Sequence, residues 1–191
     1  SVFCQSNLST CAQMISWAED VTRPPSGTTP SRDLIELYCG NGNFTLPLAG
    51  NFRRVLATEK NKLALPLAEK SAAIFGAENV TFAPLSAEET VHALSGKGPC
   101  PRLAGVNLAD YDFSTGFVNP PRCGLDQPCR ELAAQMERLI YVSCSPETLA
   151  RDLKWLKVDR NRPGGFEVTA AGLFDQFPYS QHAEVGLVLE R

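Results

Sequence analysis

Apolar residues recur with two different periods along this chain, and the switches between them mark its elements. In 7–22, Leu8, Cys11, Met14, Ile15, Ala18 and Val21 fall on one helical face, which predicts an amphipathic helix. The stretch 23–32, RPPSGTTPSR, is dense in Pro, Gly, Ser and Thr and predicts a loop. From there short apolar runs alternate with helical spacing. Strands are predicted at 33–38, 54–58, 80–84, 116–119, 139–143, 166–174 and 185–190. A helix is predicted to start at 44–49, and others to run over 62–75, 87–94, 129–136 and 147–157. Residues 95–115 are irregular, and a loop of that length in a compact domain is usually functional or disordered. The alternation predicts an α/β fold with a doubly wound, mostly parallel sheet, its last strand closing the edge.

The composition narrows the class. At 191 residues the chain suffices for one domain, in which 1–32 form a leading helix and linker. Hydrophobic residues make up 43% and charged residues 20%, an ordinary globular balance. No apolar run is long enough to span a membrane, and the start, SVFCQSNLSTC, does not have the pattern of a secretory leader. The net charge of −3 gives no support for nucleic-acid binding through a bulk basic surface; such binding needs a local patch or another domain. Seven cysteines, odd in number, irregularly spaced and without a CxxC pair, argue against a disulfide framework and against a metal site. A reducing, cytoplasmic setting is expected.

Two segments carry candidate chemistry. Cys144 ends the apolar run Leu139-Ile140-Tyr141-Val142-Ser143 and precedes Ser145-Pro146-Glu147-Thr148, a helix start. A thiol at that junction faces the positive end of a helix dipole, which lowers its pKa and favours the nucleophilic thiolate. The same segment also fits a buried cysteine that only packs. The second segment is Glu36-Leu37-Tyr38-Cys39-Gly40-Asn41-Gly42-Asn43-Phe44, between the first strand and a helix. Its two glycines permit a tight turn and close approach of a ligand, although an ordinary strand-to-helix turn has the same pattern. Glu59, at the end of the second strand, is suited to accept hydrogen bonds from two ribose hydroxyls, or it is a solvated strand end. The third glycine of the dinucleotide fingerprint and a phosphate-binding lysine are both missing, so S-adenosylmethionine fits better than NAD or ATP.

Beyond these, Phe3-x-Gln5-x-Asn7, Pro120-Pro-Arg-x-Gly124, Tyr141-Val-Ser-Cys-x-Pro-Glu-Thr-Leu149, Leu173-Phe-Asp-Gln-Phe-Pro-Tyr179 and His182-x-Glu184 complete a set of motifs. With the Glu36–Phe44 and Ala57–Glu59 segments, they make the chain resemble the C-terminal catalytic domain of the RNA uracil-5-methyltransferases over nearly its whole length. The 95–115 segment resembles the insertion of the tRNA branch rather than the ribosomal-RNA branch. The resemblance implies a class I S-adenosylmethionine-dependent methyltransferase fold with a seven-stranded sheet, and a monomer that methylates a uridine in the T-arm of tRNA without a metal. It implies Cys144 as nucleophile and Glu184 as general base, with Gln5, Tyr38, Gly40, Asn43, Glu59 and Asn119 at cofactor-contact positions. Arg122, Phe177 and His182 become candidates for substrate contact, with Asp175, Gln176 and Tyr179 beside them as a wall for a flipped base. It also implies that an N-terminal RNA-binding region is absent from this chain.

The reaction explains why these residue types occur together. Carbon 5 of uracil is a poor nucleophile, and a thiolate added at carbon 6 makes an enolate that activates it. A base must then remove the carbon-5 proton, so thiol, base and methyl donor have to meet in one place. Two positions depart from the family pattern: Asn119 stands where aspartate is usual, and Ser145 where asparagine is usual. Asparagine keeps one acceptor oxygen but loses the charge. Two other readings follow: a cofactor-binding module inactive in isolation, and a ribosomal-RNA uridine as target. A third, weaker one rests on Asn119-Pro120-Pro121, which resembles the Asn-Pro-Pro-aromatic signature of amino-group methyltransferases, but Arg122 replaces the aromatic residue.

Overall fold

Five short apolar runs form the parallel part of one sheet: β1 (Asp33–Leu37), β2 (Arg54–Thr58), β3 (Val80–Ala83), β4 (Thr115–Val118) and β5 (Arg138–Ser143). The computed structural model describes residues 7–96, 100–157, 165–176 and 183–191. β1 and β4 are buried at every position, as strands covered on both faces must be. Two antiparallel strands, β6 (Glu167–Phe174) and β7 (Glu184–Glu190), complete the order β3-β2-β1-β4-β5-β7-β6. The last strand therefore does not close the edge, as expected from its position in the chain. β7 is inserted beside β5, and β6 is the outer strand. Burial explains the exchange: β7 is buried at five of its seven positions, whereas β6 is exposed at five of its eight.

Alternation along the strands divides the core in two. On one face Leu34, Val55, Phe117, Ile140 and Val142 pack with Met14 and Ala18 of α1 (Leu8–Thr22) and Leu48 of α2 (Thr45–Leu48). On the other, Ile35, Leu37, Val118, Leu139 and Tyr141 meet α4 (Ala87–Leu94), α5 (Gln127–Ala133) and α6 (Pro146–Lys157). Burying a Leu or Phe of this kind contributes about 1.5–3 kcal/mol. Capping shifts the helix starts from the predicted ones. α5 begins at Gln127 because the Asp126 carboxylate accepts from the Cys129 amide at 2.9 Å. α3 (Leu65–Phe75) begins with Pro66 in its first turn and ends at Gly76, whose φ of 68° makes the left-handed cap.

In the irregular 95–115 segment, residues 100–113 pack against the fold. Leu103, Val106, Leu108, Tyr111 and Phe113 pack onto the core, and Tyr111 stacks on Phe113 with ring centroids 4.8 Å apart. The Asp110 carbonyl accepts from Arg53 and Arg54, each at 3.1 Å, and the Tyr111 hydroxyl reaches Thr81 Oγ1 at 3.2 Å. These partners lie near the amino ends of β1 to β3, at the opposite rim from Cys144.

α1 is keyed to the antiparallel strands by a pair of facing glycines. A Cβ on Gly186 would lie 2.5 Å from Trp17 Cζ3, and one on Gly172 would lie 2.7 Å from Phe174 Cζ. Replacing Gly186 by alanine is expected to destabilise the protein by about 1–3 kcal/mol, the usual penalty of overpacking. Urea unfolding followed by tryptophan fluorescence should show the midpoint falling with an unchanged slope.

Candidate functional site

In an open α/β sheet, ligands bind beyond the carboxyl ends of the strands, and the loop after β1 is shaped for it here. Tyr38 has φ 62°, unusual for a residue with a side chain, and Gly40 and Gly42 follow at 58° and 84°. A Cβ on Gly42 would also press on Ala68 Cβ at 3.4 Å. The Glu59 carboxylate braces this loop, accepting from the Gly40 amide at 3.0 Å and the Asn61 amide at 2.7 Å. Asn43 is tied to the leading helix, its amide donating to Cys11 Sγ at 3.3 Å. Beneath the loop Glu36 is buried, and burial pushes its carboxyl up to about 8, so it is held as a neutral acid.

A cavity of about 460 Å³ opens beside this loop. Tyr38, Glu59, Lys60, Leu85 and Ser86 line one side, and Pro121, Cys123, Gly124, Leu125, Arg130 and Arg151 the other. Of the predicted cofactor residues, Tyr38 and Glu59 are on its wall; Gly40, Asn43 and Asn119 are not among the lining residues. The Tyr38 hydroxyl lies 3.6 Å from Cys129 Sγ, and burial pushes the phenol up and the Cys129 thiol up to about 12. Both are neutral near pH 7, with Cys129 buried behind Tyr38 on the cavity wall.

The juxtaposition of Cys144 and Glu184 arises from strand register. β5 and β7 run antiparallel with Ser143 opposite Val185, so one further step along the same register sets Cys144 across from Glu184. Cys144 is partly buried, and Glu184 is only 3% exposed. The Arg122 guanidinium lies near enough to both to favour their charged forms. Asn119 leaves β4 between Tyr38 and Val142, on the same rim. The structure thus brings Cys144, Glu184 and Arg122 together. Gln5, Phe177, Tyr179 and His182 lie outside the described residues. Gln176 is 2% exposed and the Asp175 carbonyl accepts from Thr10 Oγ1 at 3.1 Å, so both are built into the fold beside α1.

The electrostatics correct one expectation. The helix start was expected to lower the Cys144 thiol, but burial, and then the Glu184 carboxylate, push it above its ordinary value, with Arg122 pulling the other way. Burial likewise raises Glu184, against the pull of Arg122, and its Oε2 has no hydrogen-bond partner among the described residues. Among the described residues no group of three or more His, Cys, Asp or Glu is arranged to hold a metal ion. No described helix is long and apolar enough to cross a membrane.

The family model described as tRNA (Uracil-5-)-methyltransferase matches residues 1–191. The chain belongs to the tRNA (uracil-5-)-methyltransferase family. A tRNA/tmRNA (uracil-C(5))-methyltransferase of Azotobacter vinelandii is 48% identical over 189 residues, covering 99% of this chain and 49% of that protein. One from Ectopseudomonas mendocina is 46% identical with the same coverage. The chain therefore spans about half the length of these relatives. Among solved structures, Pyrococcus abyssi tRNA (uracil-54, C5)-methyltransferase in complex with S-adenosyl-L-homocysteine superposes with a TM-score of 0.73 at 23% identity, over 99% of this chain and 40% of that one. An rRNA methylase from Streptococcus thermophilus gives 0.60 at 17% identity over 94% of each chain. These likenesses identify a class I S-adenosylmethionine-dependent methyltransferase fold, as the motifs implied.

The family motifs did not disclose every residue that shapes the site. Lys60, Ser86, Arg130 and Arg151 line the cavity, and Asp152 is fully buried behind it. One signal for Asp152 is present in the chain: it shares a helical face with Leu149 and Leu156, a charged residue on an apolar stripe.

Proposed function

We propose that this chain is the catalytic domain of an enzyme that methylates carbon 5 of a uridine in the T-loop of tRNA, using S-adenosylmethionine and a covalent Cys144 adduct at uracil carbon 6. The observation that carries the reading is the juxtaposition of Cys144 and Glu184 by the β5–β7 register, with Arg122 near enough to influence both. Family membership supplies the substrate class. The cavity suits a nucleoside cofactor: Glu59 keeps lone pairs for ribose hydroxyls beside a tight, glycine-bearing turn, and the Tyr38 ring and Leu85 offer apolar surface. Gly40, Asn43, Asn119 and Gln5 would complete that contact. S-adenosylmethionine would supply an electrophilic methyl group there.

The chain's own residues do the rest. Cys144 gives up its proton to solvent and, as the thiolate, adds to carbon 6, which leaves the Glu184 carboxylate free for the later step. Arg122 offsets the negative charge of the pair. After the methyl group has been accepted at carbon 5, Glu184 takes the proton from that carbon, and the carbon–sulfur bond breaks to return the thiolate. Asn119 can still orient a ligand through its amide, but it contributes no charge. The net charge of −3 leaves tRNA to local contacts such as Arg122, Phe177 and His182, and to protein beyond this chain. The enzyme would act as a cytoplasmic monomer.

The test is T-arm RNA carrying 5-fluorouridine, incubated with the protein and S-adenosylmethionine. Fluorine cannot leave as a proton does, so a denaturation-resistant protein–RNA adduct that maps to the Cys144 peptide is expected. Methylation without any trapped adduct, or an adduct on another residue, would refute the covalent scheme.

A further inference from the structure

Asp152, in the middle of α6, has no accessible surface yet carries a carboxylate. A carboxylate so buried persists only when its lone pairs are satisfied, and here they are. Oδ2 accepts from the Leu125 amide and the Tyr141 hydroxyl, both at 2.8 Å. Oδ1 accepts from Arg151 Nε at 2.9 Å and Nη2 at 2.8 Å, and from Arg130 at 3.2 Å. What these partners hold is the loop after β4. Arg151 Nη2 also donates to the carbonyls of Cys123 at 2.9 Å and Leu125 at 3.1 Å, and Thr148 Oγ1 donates to the Arg122 carbonyl at 3.1 Å. Gly124, at φ 72°, lies so near that a Cβ there would be 2.6 Å from Asp152 Oδ2. The loop from 122 to 125 is thus gripped through its backbone by α6, the helix that starts just after Cys144.

We infer that Asp152 is a positioning residue for Cys144 and Glu184: it locks the loop that carries Arg122 onto α6, beside the Ser145 carbonyl that shares Thr148 Oγ1 with it, and so keeps the guanidinium near the pair. A bulk stabilising role is insufficient to explain this arrangement, because the bonds converge on the few residues that set where Arg122 leaves the backbone. The inference rests on Cys144 being the reacting thiol, but its test does not depend on uracil being the substrate.

The experiment is the rate of iodoacetamide alkylation of Cys144 against pH, read by mass spectrometry on the peptide that carries it, so that the other cysteines do not interfere. Arg122 favours the thiolate. Arg122→Ala is therefore expected to move the profile to higher pH and to slow alkylation at pH 8 about 3–10-fold, as for loss of one nearby charge. Asp152→Asn is expected to move it the same way, and the double variant to add nothing beyond Arg122→Ala. The sign is diagnostic. Merely deleting a negative charge would ease thiolate formation and move the profile down, whereas releasing Arg122 moves it up. Thr148→Val, which removes one hydroxyl grip on the same loop, should give a smaller shift in the same direction and covers the case in which Asp152→Asn does not fold. The inference is overturned if Asp152→Asn folds and leaves the profile in place or lowers it, if Arg122→Ala leaves it unmoved, or if Thr148→Val leaves it in place when Asp152→Asn cannot be obtained.

Discussion

Cys144→Ala is expected to abolish both adduct formation with 5-fluorouridine RNA and methyl transfer, with a loss in rate of about 10⁴-fold or more. The size follows from the chemistry. Without addition at carbon 6, carbon 5 has almost no carbanion character, and positioning of the methyl donor cannot replace a missing electron pair. The substitution should leave the fold nearly intact, because Cys144 sits at the rim, partly exposed, and makes no core contact of the kind made by Tyr141 or Val142. Circular dichroism and a melting curve would verify that, and single-turnover transfer of a labelled methyl group would measure the loss. Retention of more than about 1% of the rate in a folded Cys144→Ala protein would be too much for a scheme with an obligatory nucleophile.

Glu184→Gln is expected to separate two steps. Turnover should fall about 10²–10⁴-fold, the usual worth of a positioned general base, while the covalent adduct accumulates even on ordinary uridine because the carbon-5 proton stays in place. Alkylation of Cys144 should move in the opposite direction. The Glu184 carboxylate helps to hold the thiol above its ordinary value, so its neutral replacement lowers that value and speeds alkylation at any pH below it. Slower turnover with a more reactive thiol is hard to obtain from a disrupted fold. For the unmodified protein, the rate of methyl transfer should climb with pH beyond the ordinary carboxylate range, since Glu184 gives up its proton only above its usual value. A flat profile from pH 5 to pH 9 would argue against Glu184 as the base.

The elements of the fold were legible because their signals are local. Alternation of short apolar runs with helical spacing placed all seven strands within a residue or two, and the two glycines with Tyr38 and Glu59 marked the loop that the structure bends into a left-handed turn. Errors arose where a partner distant in sequence decided. The 95–115 segment read as irregular because Asp110 and Tyr111 are held by Arg53, Arg54 and Thr81, distant in the chain. The helix start beside Cys144 is a local signal, but burial and then a carboxylate 40 residues away outweigh it and push the thiol up.

From residue types and spacing alone came the α/β class, the rim on which ligands bind, and, through the motifs, the family and its candidate nucleophile and base. Tertiary structure alone inserted β7 between β5 and β6, and so set Glu184 across from Cys144 rather than at a free edge. It alone showed that burial and a neighbouring carboxylate raise the thiol, and that Asp152 reaches from inside α6 to the loop of Arg122. The division has one cause. Backbone periodicity and turn chemistry act over a few residues, whereas strand order, desolvation and charge pairing depend on which distant segments the packed core brings within a few ångströms of each other.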